Sequence, residues 1–154
     1  MLISFSKMNK KSIFFILLSL FFLNLHSQKK MITPTYLQKG DTVAIVSTAR
    51  KNIDDNLKPT IDLLEGWGLT VKLGKTIGLD YYQLAGTDEQ RTADFQEQMD
   101  NPNIKAIWCV RGGYGTVKII DKLDFTKFKQ NPKWIIGFSD VTVLHGHLNR
   151  MGIE

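Results

Sequence analysis

Four short strand-like runs, apolar or alternating, are interleaved with stretches whose apolar residues recur at helical spacing. This interleaving constrains the chain more than any other feature. The runs are Thr42 to Val46, Leu69 to Leu73, Ile104 to Val110 and Lys133 to Ile136. Between the first two, Leu57, Ile61, Leu64 and Trp67 fall on one helical face, which predicts a helix from about Asp55 to Trp67 with Pro59 in its first turn. Gly66 and Gly68 bracket its end. Ser47 to Lys51 is a polar loop, and Gly74 to Gly86 is a loop with little periodicity. Thr87 and Gln90 have the spacing of a capping box, so a second helix should run to about Met99, where Asn101-Pro102-Asn103 stops it. Val117, Ile119 and Ile120 suggest one or two helical turns, and Val141 to Met151 reads as a last helix. Strands separated by helices join as parallel βαβ units with right-handed crossovers. The expected fold is therefore α/β, an open, mostly parallel sheet with flanking helices.

The first 27 residues are set apart by composition. Lys7, Lys10 and Lys11 precede an apolar stretch, Ile13 to Leu25, and His26-Ser27 offers a small residue for cleavage. That is the pattern of a signal peptide, and it predicts an exported, periplasmic protein with a domain over residues 28–154. The stretch falls short of the roughly twenty residues a spanning helix needs, so an uncleaved N-terminal anchor is the weaker alternative. Removing the three leader lysines, with no acidic residue beside them, takes the formal charge from +5 to +2. The basic balance belongs largely to targeting, and no Lys/Arg stripe interleaved with aromatics remains to favour nucleic acid. The single cysteine, Cys109, excludes an intramolecular disulfide. It closes an apolar run and reads as a small buried hydrophobe. No His, Cys and carboxylate spacing suggests a metal, and no cofactor motif is complete.

Two turns at predicted strand carboxyl ends carry the candidate chemistry, and in a parallel sheet such turns line a common crevice. In Gly137-Phe138-Ser139-Asp140, a glycine before a strand-to-helix turn would lift the Ser139 hydroxyl above the sheet edge. The match to a nucleophile elbow is partial, since Val141 stands where a second glycine belongs, and a serine ahead of a helix is also an ordinary N-cap. The other turn is Arg111-Gly112-Gly113-Tyr114-Gly115. Gly112 or Gly113 could offer a backbone N–H to an oxyanion, and Arg111 could hold a substrate carboxylate or form an ion pair. His145 and His147 follow Ser139 by six and eight residues on the same predicted helix, which carries them roughly 9 and 12 Å away. Neither suits a general base.

Four ordered blocks make the pattern specific. They are Leu37-x-Lys39-Gly40-Asp41-Thr42-Val43-Ala44-Ile45-Val46, Ala85-Gly86-Thr87-Asp88-x-x-Arg91, Arg111-Gly112-Gly113-Tyr114-Gly115 and Gly137-Phe138-Ser139-Asp140-Val141-Thr142. Together they resemble the LD-carboxypeptidase family of serine peptidases, whose members remove the terminal D-alanine from murein tetrapeptides. Relatives in that family hydrolyse the antibiotic microcin C. The resemblance implies Ser139 as nucleophile, with the N–H groups of Asp140 and of Gly112 or Gly113 as oxyanion donors, and no metal or other cofactor. It covers about residues 33–154, the N-terminal half of the family. The Glu and His that complete the family's triad come from its C-terminal domain, so a partial chain is expected, with a catalytically inactive, peptidoglycan-peptide-binding fragment as one alternative. The implied partner is a murein peptide, with a homodimer left open.

Overall fold

The computed structural model describes residues 9–16, 31–52 and 57–154. Most of the segment read as a signal peptide lies outside the described residues. Within it, residues 10–16 are helical. No helix among the described residues is long and apolar enough to cross a membrane.

Residues 31–154 form a four-stranded, wholly parallel sheet flanked by helices. The strands are β1 (Thr42–Val46), β2 (Thr70–Leu73), β3 (Ile104–Cys109) and β4 (Trp134–Ile136). The helices are α1 (Lys58–Gly66), α2 (Asp88–Asp100), α3 (Thr126–Gln130) and α4 (Thr142–Arg150). In the order β2-β1-β3-β4, the chain moves outward from β1 to β2 and then crosses back to β3 on the other side. The reversal of direction between β1 and β3 is the switch point at whose strand carboxyl ends a parallel sheet is expected to bind a ligand.

Alternation along the central strands separates two cores. Ala44 and Val46 of β1, with Ile107 and Cys109 of β3, face Phe95 and Met99 of α2, Phe128 of α3, and Leu144 and Leu148 of α4. Val43, Ile45 and Ala106 face the other way, onto Leu64 of α1 and Leu69. Because both faces are covered, β1 reads as an unbroken apolar run, not as alternation with polar residues. The lead-in is anchored too. The Ile32 N–H donates to Gly152 O at 2.8 Å, Trp134 Nε1 donates to Thr35 O at 3.0 Å, and the Tyr36 and Trp134 rings stack at 5.9 Å.

The expected elements are present with adjusted ends. The capping box closes at both bonds, as Thr87 and Gln90 required. The turns after Gly115 are 3₁₀, over Thr116–Lys118 and Ile120–Lys122. The last helix starts at Thr142, one residue later than expected, because Ser139–Val141 is a 3₁₀ turn. Helix α3 had no counterpart among the expected elements. Five residues pinned by the fully buried Phe128 are too few to show a period.

Candidate active site

Strand β4 ends one residue before Gly137. A Cβ there would stand 2.8 Å from Val141 Cγ1, so only glycine lets the chain fold back this closely. Phe138 is extended, and Ser139 then enters the left-handed region at φ 59°. The Val141 N–H donates to Phe138 O at 3.2 Å, and Thr142 Oγ1 donates to Ser139 O at 2.6 Å, which fixes the turn from below. The Ser139 side chain is exposed, and its hydroxyl makes no hydrogen bond among the described residues. This overturns the N-cap alternative, since a capping serine would sit in the extended region and bind an N–H of the first turn. Left-handed backbone at a non-glycine residue costs about 1–2 kcal/mol, and surrounding structure must impose it.

The glycine-rich turn lies directly against this serine. A Cβ on Gly112 would stand 3.0 Å from Asp140 N and 3.1 Å from Ser139 Cβ. The two turns that the sequence placed at separate strand ends are thus in contact. Among the described residues, the N–H groups of Gly112, Gly113 and Asp140 donate to no protein acceptor, whereas that of Val141 is spent on Phe138. Unspent N–H groups close to an exposed hydroxyl are what a developing oxyanion requires.

Buried charge holds the two turns together. The Asp140 carboxylate accepts from the N–H groups of Gly115 and Thr116, both at 2.8 Å, and so ties the serine turn to the glycine-rich one. Arg91, wholly buried, donates through Nη1 to Thr48 O at 2.7 Å and to Gly115 O at 2.8 Å, and pairs through Nη2 with Asp88. Burial pulls its guanidinium below the ordinary arginine value, and Asp88 and then Asp140 oppose that shift. Thr116 Oγ1 donates to Thr48 Oγ1 at 2.9 Å, which adds the β1 loop to the same network. Gly115 is packed so closely that a Cβ would lie 2.6 Å from Ala49 Cα.

The other candidates are engaged elsewhere. His145 Nε2 lies 3.1 Å from Ile135 O, and the His147 ring stacks on Phe125 at 4.6 Å. The Cys109 thiol is buried, and burial pushes it up to about 12, so it is an inert core group. No cluster of metal-ligating side chains occurs among the described residues. Arg111 is half-buried and already engaged by another group. Sequence reasoning assigned no role to Arg91 or to the carboxylate of Asp140. The only signal was that both stand in the quoted blocks.

Residues 43–154 match the LD-carboxypeptidase N-terminal domain. The chain is 39% identical over 112 residues to a probable murein peptide carboxypeptidase of Bacillus subtilis, covering 73% of this chain and 35% of that protein. It is 38% identical over 112 residues to the murein tetrapeptide carboxypeptidase of Pseudomonas aeruginosa, covering 72% and 36%. Among solved structures, the microcin C7 self-immunity protein in complex with aspartyl sulfamoyl adenosine superposes with a TM-score of 0.71 at 27% identity, over 79% of this chain and 37% of that one. The chain thus spans 35% and 36% of the length of these two curated relatives. The strained serine turn, the glycine-rich turn packed on it and the matched residues have one reading: the chain belongs to the LD-carboxypeptidase family and carries its N-terminal domain.

Proposed function

We propose that this domain supplies the nucleophile half of a serine carboxypeptidase that removes the terminal D-alanine from murein tetrapeptides. The observation that carries the reading is the left-handed, exposed Ser139 with the unspent N–H groups of Asp140 and Gly112 or Gly113 beside it. Ser139 Oγ attacks the last peptide carbonyl, and the oxyanion of the tetrahedral intermediate is received by those N–H groups. The amine of D-alanine leaves with a proton from the general acid–base group, and water then releases the acyl chain from Ser139. The His and Glu for this proton transfer are assigned to the family's C-terminal domain. Export through the leader, with a mature N-terminus near residue 28, is part of the same proposal.

Joined to the C-terminal domain of a murein peptide carboxypeptidase, the chain should release D-alanine from murein tetrapeptide. Ser139→Ala should lower the rate at least about 10³-fold. Equal rates would remove Ser139 from the mechanism. The structural likeness to the microcin C7 self-immunity protein favours a second reading, an amidase of a peptide–nucleotide antibiotic. The higher identity to murein peptide carboxypeptidases supports the first, and offering both substrates to the joined protein separates them.

A further inference from the structure

The loop after β1 brings a second arginine to the glycine-rich turn. The Arg50 N–H donates to Gly112 O at 3.3 Å, and its Cγ, Cδ and Cβ lie 2.6, 3.0 and 3.2 Å from where a Cβ on Gly113 would stand. Gly113 sits at φ 128°, so both its backbone and the stem of Arg50 demand glycine there. The neighbouring Gly112 is the residue that presses on Ser139. Gly112 and Gly113 are consecutive, so Ser139 and the Arg50 stem pack against adjacent residues of one turn. Arg50 is exposed, and among the described residues its guanidinium makes no hydrogen bond or ion pair. The other two arginines at this crevice are occupied, Arg91 by buried partners and Arg111 by an interaction of its own. The Asp140 carboxylate is also spent, on Gly115 and Thr116, and does not neutralise Arg50.

When a peptide is cut at its last bond, the free carboxylate lies about one residue spacing beyond the carbonyl under attack. We propose that Arg50 binds that terminal carboxylate, which makes it the residue that restricts the site to the end of a chain. A guanidinium suits this task because its planar fork donates to both carboxylate oxygens at once. The packing of its stem on Gly113 brings the side chain to the turn that carries the oxyanion donors. This role rests on the peptidase reading of Ser139.

The test is binding of a synthetic murein tetrapeptide, as free acid and as C-terminal amide, to the full chain carrying Ser139→Ala, followed by calorimetry. The acid should bind about tenfold more tightly than the amide. Arg50→Gln should erase the difference between acid and amide, and Arg50→Lys should restore part of it. A preference for the acid that survives Arg50→Gln, or that disappears in Arg111→Gln instead, overturns the assignment, as does failure of both ligands to bind at millimolar concentration. If the joined protein releases D-alanine while the acid shows no preference through Arg50, this inference alone fails. If it releases none, the peptidase reading fails.

Discussion

Ser139 occupies a backbone conformation that a serine would not adopt by itself. The turn is forced by contacts on both sides: Gly137 folds against Val141 below, and the backbone of Gly112 presses from the neighbouring turn. The strain keeps the hydroxyl pointing outward and leaves the Asp140 N–H unspent. It also makes a prediction about stability that is independent of any substrate. Ser139→Ala removes the hydroxyl and keeps the strain, whereas Ser139→Gly removes both. The glycine variant should therefore be about 1 kcal/mol more stable than the alanine variant in urea unfolding, although glycine at an unstrained position destabilises. An alanine variant equal to or more stable than the glycine variant would mean that Ser139 bears no strain.

At the scale of elements, α2 illustrates what could be read in advance and what could not. Its beginning was legible, because a capping box is a local signal and both of its bonds form. Its inner face was less so. Arg91, Asp94 and Gln98 are buried beside Phe95 and Met99, which blurs the apolar stripe that marks an amphipathic helix. The strands β1, β3 and β4 were legible as compact apolar runs between turn residues, and β2 by its alternation. The nearness of the two site turns followed from parallel topology. The contacts that make them one site did not, because the acceptors and donors are backbone groups distant in sequence. Asp140 binds N–H groups 25 and 24 residues back, and Arg91 reaches a carbonyl 43 residues away. A side-chain pattern carries no trace of such partners. Replacing Arg91 by Leu would leave Thr48 O, Gly115 O and the Asp88 carboxylate short of a donor in or near the core. We expect a loss of about 3 kcal/mol, read as a lower urea midpoint at unchanged slope. A loss under about 1 kcal/mol would show that the loops are held without it.

At the scale of the whole molecule, stability should depend on pH through two buried groups that act in opposite senses. Lys133 precedes β4, is almost fully buried and donates through Nζ to Asn101 O. Burial lowers its ammonium from 10.5 to about 8, with Lys105 adding to the shift and Asp100 opposing it. In the unfolded chain the group binds its proton below 10.5, and in the folded chain only below about 8. Between those values the unfolded state holds more protons, so this group's contribution rises with pH across that window and is lowest below it. Cys109 works the other way. Its thiol ionises near 9.0 when unfolded and near 12 when folded, so its contribution is full below 9.0 and is lost as pH rises toward 12. The windows overlap, and the total curve hides both terms. The difference between Lys133→Met and the parent chain cancels the cysteine. At pH 7 that variant should be more stable than the parent by about 1–2 kcal/mol, the relief of a buried charge less one lost hydrogen bond. The advantage should shrink steadily from about pH 8 and vanish or reverse by about pH 10.5, where the parent lysine is neutral in both states. Urea unfolding at half-unit pH steps measures it. A difference that stays constant from pH 7 to 10.5 would mean that Lys133 keeps its charge on folding and that its ammonium reaches water after all.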